Sequence, residues 1–240
     1  MKLLTSIIAL GFSLSWAGAF DHSQVNEIFK TYVNDDGLVN YSDLKANRSE
    51  LDSYLKKTGA VTRSSFDGWN QSEQLAFLIN VYNAETLQFI IDNYPTSSIK
   101  KLGGLISTPW DKKNVDLFGE VTTLNHLEHR IVRKEFDEPR IHFALVCAAV
   151  GCPPLRNEAF TAENLEAQLD DQAKTFLSQS EKNRVEGDTL YLSTIFQWYG
   201  GDFTKDGNSI DVYVDAYMDG DASGKKIKHT DYDWNLNDQK

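Results

Sequence analysis

Cys147 and Cys152 are the chain's two cysteines, five positions apart in Arg140-Ile-His-Phe-Ala-Leu-Val-Cys147-Ala-Ala-Val-Gly-Cys152. A cysteine that acts as a nucleophile needs a basic neighbour or a helix N-terminus to lower its thiol pKa. Histidine is the usual base, and His126, His129 and His142 all lie shortly upstream. The base in turn needs an acid to orient it. Glu128 belongs to the apolar stripe of Leu124, Leu127 and Ile131, so it is expected to face inward, where a carboxylate must find a partner. These types together suit a thiol-dependent hydrolase or acyl transferase. Cys147 would be the nucleophile, His129 or His142 the base, and Glu128 the orienting acid.

The same residues allow other chemistry. In an oxidising compartment Cys147 and Cys152 can close a short disulfide staple, leaving a non-catalytic binding module. His126, His129, Cys147 and Cys152 could also be offered to zinc. The cysteine spacing is not that of a zinc knuckle, however, and no metal is expected. No phosphate loop, dinucleotide fingerprint, nucleophile elbow or His-Glu-x-x-His motif occurs, so no cofactor is expected either.

Stepping outward, Ile141–Val146 is nearly continuously apolar and reads as a central strand. On a regular strand His142 and Cys147 would point to opposite faces, which leaves His129 as the base by elimination. Arg140 and His142 would share a face, with Arg140 pairing to Glu128. Asn80 and Asn83 lie on one side of an almost wholly apolar helix, beside Tyr82. Buried amides must be hydrogen-bonded, either to a neighbouring loop or to a substrate oxyanion. Trp110 sits in a long irregular stretch, 101–117, of the kind that is often functional. Trp69, Trp110, Trp198 and Tyr199 read as core in preference to a sugar platform, with Trp110 also a candidate binding residue.

The elements that must position these groups are mostly helical. Helices are expected over 21–32, around 51–55, from an Asn70/Glu73 capping box to just short of Pro95, over 124–135 behind Thr123, and from Thr161 to about Leu177. A strand is expected at 189–192, a helical turn at 195–199, and a helix at 210–218. Helices outnumber strands without clean alternation, which predicts an α+β fold: one globular domain, helix-rich around a small sheet.

Lys2, a short apolar run from Leu3 to Trp16, and the small residues Ala17, Gly18 and Ala19 form a secretory signal peptide pattern, with cleavage expected after Ala19. The run is too short for a stable membrane span. A periplasmic or secreted protein of residues 20–240 is therefore expected. The net charge of −11 argues against nucleic acid as a partner. The substrate or protein partner is left open.

Several motifs in order resemble those of domain-of-unknown-function family 547: Ala76-Phe-Leu-Ile-Asn-Val-Tyr-Asn-Ala84, Thr108-Pro-Trp-Asp111, Leu127-Glu-His129, Asp137 through Cys147 with Cys152-Pro153, Trp198-Tyr-Gly-Gly-Asp-Phe203, and the segment Tyr232 to Asn237. The resemblance spans about 40–237. It implies no activity. It does imply that Asn80, Tyr82, Asn83, Trp110, Glu128, His129, Arg140, His142, Cys147 and Cys152 carry the family pattern. Leu78, Val146 and Asn40 depart from it.

Overall fold

The computed structural model describes residues 20–104, 107–218 and 222–239. The expected signal peptide lies outside the described residues. A 22-residue helix, Gln71–Asp92, forms the axis of the molecule. Asn70 caps it: its side chain accepts from Glu73 N at 3.0 Å, and Glu73 returns a carboxylate oxygen to Asn70 N at 2.9 Å. Every residue from Leu75 to Leu87 is buried, because other elements cover this helix on all sides.

Helices Ser23–Tyr32, Tyr41–Ala46 and Ser49–Gly59 cover one side. Asn40 caps the second of them by accepting from Asp43 N, so the amide at this position serves the same end as a carboxylate would. The opposite side is covered by the helical segment 124–135, which Thr123 caps through His126 N at 2.9 Å. Helix Leu165–Leu177 lies beyond it, packed on the short helix Ile141–Ala144. The helix expected from Thr161 begins only at Leu165, after a turn in which Asn164 N donates to Thr161 O at 3.2 Å. Asn164 takes the N-cap position, while Thr161 Oγ1 accepts from the Asn164 side chain at 3.2 Å.

Two small sheets complete the α+β architecture. Strands β1 (Val115–Leu117) and β2 (Glu120–Thr122) form an antiparallel hairpin with Val115 opposite Thr122. Phe118 and Gly119 both take positive φ at its turn, the conformation that twists a two-residue hairpin correctly. Strands β3 (Arg184–Glu186), β4 (Thr189–Ser193) and β5 (Lys226–Thr230) form the second sheet, antiparallel between β3 and β4 and parallel between β4 and β5. The helix expected over 210–218 is confined to Ile210–Asp215.

One expected element is of the wrong type. Ile141–Ala144 is a helical turn and not a strand; Ile141, His142 and Phe143 donate to the carbonyls of Glu138, Pro139 and Arg140. An apolar run buried on all sides has no period that separates strand from helix. The argument that His142 and Cys147 face opposite ways falls with the strand.

The segment 231–239 runs back over the molecule as a strap. Asn235 and Asp233 carbonyls accept from Val150 N and Gly151 N, Leu236 N donates to Ser97 O, and Val39 N donates to Asn237 O. The Tyr41 hydroxyl reaches Asn237 Oδ1 at 2.7 Å. Gly151 permits this: a Cβ there would stand 2.9 Å from the Asp233 backbone. Among the described residues, no helix is long and apolar enough to cross a membrane.

Candidate functional site

A cavity of about 310 Å³ opens between the 124–135 helix, the Cys147–Cys152 loop, the Ile195–Trp198 helix and the strap. Its wall includes the two sulfurs, which form a disulfide with the Cα atoms 6.1 Å apart. With the bond closed, neither sulfur is a thiolate that zinc could take. Asn83 positions the approach to Cys147: its side chain donates to Ala144 O and accepts from Val146 N, both at 2.9 Å. Ala148 then turns the chain with φ at 56°, a left-handed conformation that costs a residue with a Cβ. Cys147 N donates to Cys152 Sγ at 3.1 Å, and the Tyr232 hydroxyl stands 3.0 and 3.1 Å from the two sulfurs.

The 124–135 helix widens to a π turn over Leu127–Val132, inside which Glu128 and His129 stand. Such turns are rare and frequently accompany functional sites. Glu128 is inward and buried, as its place in the apolar stripe predicts, but its partners are phenols and not Arg140. The Tyr82 hydroxyl donates to Oε2 at 3.0 Å, and Tyr199 also hydrogen-bonds this carboxylate. Burial first, and the Glu128 charge second, hold the Tyr82 and Tyr199 phenols well above their ordinary range, so both stay protonated donors. Arg140 instead pairs with Glu138 and Glu166, at 2.6 and 2.7 Å, outside the cavity.

The two cavity histidines are fixed in different ways. His142 is buried, stacks on Tyr199 with ring centroids 4.0 Å apart, and places Nε2 2.8 Å from Asp202 Oδ2. A carboxylate only accepts, so Nε2 carries the proton and Nδ1 keeps its lone pair. Burial holds the imidazole below its ordinary pKa and hence neutral near pH 7. His129 is the reverse. Its Nδ1 lies 2.9 Å from Arg133 Nη1, and a guanidinium only donates, so the His129 lone pair is already taken. Arg133 also binds Asp202 Oδ2 through Nε at 2.6 Å. The His142 hydrogen bond, with Arg133 adding to it, holds the Asp202 carboxyl well below the usual range.

Asp202 is the polar residue that sequence reasoning missed; its only signal was membership of the Trp198–Phe203 motif. Asn80 lies away from the cavity, its amide clamped on the backbone of Phe160 at 2.8 and 2.9 Å. Trp110 lines the cavity. Trp198 is not core but 46% exposed at the mouth, packed on Tyr232 and Trp234. The family model described as "Protein of unknown function, DUF547" matches residues 66–177. No curated protein and no solved structure matches the chain.

Proposed function

We propose that this chain, whose residues 66–177 belong to the DUF547 family, is an exported thiol-dependent enzyme of the hydrolase or acyl-transferase kind. The observation that carries the reading is the convergence of Cys147 and the His142–Asp202 pair on one cavity. An external dithiol first reduces the Cys147–Cys152 bond and leaves as its own disulfide. His142 Nδ1 then takes the Cys147 proton, Asp202 steadying the imidazolium that results. The thiolate attacks an acyl carbon. The leaving group departs with the proton from His142, and water or an acceptor nucleophile releases the thioester. His142 serves as base in preference to His129 because only its lone pair is uncommitted.

The test is the iodoacetamide alkylation rate of Cys147 in reduced protein. His142→Ala is expected to slow it about tenfold at pH 7, as the thiol pKa returns toward about 8.5. His129→Ala should leave it nearly unchanged. Equal rates in wild type and His142→Ala sink the reading.

The closed disulfide favours a second reading, a binding module in which the bond is a staple and the cavity holds a ligand without chemistry. Replacing both cysteines by Ala would then lower stability and leave ligand affinity intact.

A further inference from the structure

We infer that the cavity selects a quaternary ammonium group as its ligand. The inference deepens the reading of this cavity as a substrate pocket and rests on it, but it requires no reaction at Cys147. Aromatic side chains make up much of the wall: Trp110, Trp198, Trp234, Tyr199 and Tyr232, with the Glu128 carboxylate among them. Trp110, Trp198 and Tyr232 each pack on Trp234, at ring-centroid distances of 6.0, 5.8 and 4.5 Å, so the mouth is a continuous aromatic surface.

The polar groups argue against a polyhydroxylated ligand, because the hydroxyls of the wall, and one N–H of its side-chain amide, already make hydrogen bonds. Tyr82 and Tyr199 donate to Glu128, and Tyr232 to the disulfide. Thr108 and Asn125 both donate to Asp111. A sugar entering here would meet groups that must give up one hydrogen bond to make another. A methylated cation brings no donors and asks for none. It needs aromatic faces within about 6 Å and a negative charge nearby.

The charge around the cavity is right for it. Glu128 places its carboxylate in the wall itself, while the Asp202 charge behind it is matched by Arg133 and Lys205. The Glu128 carboxylate is held by the Tyr82 and Tyr199 hydroxyls and, among the described residues, makes no salt bridge to a lysine or arginine. The rings already attract cations from the protein itself: Lys100 Nζ lies 4.6 Å from the Trp234 ring, and the Arg133 guanidinium lies 5.1 Å from that of Tyr199. The cavity, at about 310 Å³, admits a trimethylammonium head with a short tail.

The experiment is calorimetric titration of the whole chain, disulfide closed, with choline at ionic strength matched by sodium chloride. The comparators are choline's uncharged tert-butyl isostere and N-acetylglucosamine. Saturable choline binding is expected, with the isostere at least about tenfold weaker. Glu128→Gln should weaken choline about tenfold. Trp198→Ala, at an exposed position that leaves the core intact, should weaken it about fivefold. Equal affinity for the isostere, preferential binding of the sugar, or no saturable heat with choline overturns the inference. Because the disulfide stays closed throughout, failure here is separate from failure of the thiol reading, which the alkylation rates decide.

Discussion

Asp202 Oδ2 accepts from both His142 and Arg133, joining the cavity's neutral imidazole to its guanidinium. Its folded pKa lies below the unfolded carboxylate value of about 4, so the unfolded chain holds a proton at pH values where the folded chain does not. Its contribution to stability is therefore complete above pH ~4 and fades as the pH falls below that. Asp202→Asn should cost about 1–3 kcal/mol at pH 7, the range for hydrogen bonds to a charged group, and progressively less at pH 3. Urea midpoints at the two pH values measure this; an equal loss at both would mean that the charge is irrelevant. At this scale the sequence was partly legible. Glu128 faces inward because a 3.6-residue period says so. Asp202 stands 60 residues from His142, and no local pattern joins residues so far apart. The elimination of His142 rested on a strand that is a helical turn, and tautomers follow from partners that only the fold supplies.

Helix ends were the most readable elements, since a cap is local chemistry. Asn70 and Glu73 form the box their spacing predicts, as Thr123 forms its cap. Asn70→Ala should cost about 1 kcal/mol and lower the melting temperature by about 2–4 °C, read by thermal circular dichroism. The modest figure follows from the rest of that helix being held by burial; a loss of several kcal/mol would mean that the cap also sets the helix register. Two features of this scale were out of reach. The π turn at Leu127–Val132 inserts no residue type that marks it. Ile141–Ala144 is helical because Pro139 and its neighbours offer the carbonyls that start a turn, whereas its hydrophobicity fits either structure.

Across the whole molecule, two apolar clusters include the central helix and a third lies between the Leu165–Leu177 helix and the second sheet, so the disulfide adds to a core that already suffices. Chain entropy for so short a loop gives the bond about 2 kcal/mol. Cys147→Ser with Cys152→Ser should therefore lower stability by about that amount and leave a cooperatively folded protein, as measured by urea unfolding with and without reductant. Complete unfolding of the double variant would make the bond a requirement of the fold. The α+β class and the longer helices could be read from period and caps, whereas short helices such as Tyr41–Ala46 and Arg63–Asp67 could not. The cavity could not, because its walls come from segments whose hydrogen-bond partners lie as far apart as Tyr82 and Glu128, or Cys147 and Tyr232.

The strap gives the molecule an order of assembly. Cys147, Cys152, His142 and Asp202 all leave the ribosome before Tyr232 and Trp234, which supply two rings of the wall and the hydroxyl beside the sulfurs. Asn237 then closes on Val39 and Tyr41, residues made some two hundred positions earlier. A chain interrupted before residue 231 would carry Cys147, Cys152, His142 and Asp202 without the Tyr232 and Trp234 side of the cavity. The cavity is therefore complete only once the last segment has been made and has folded back.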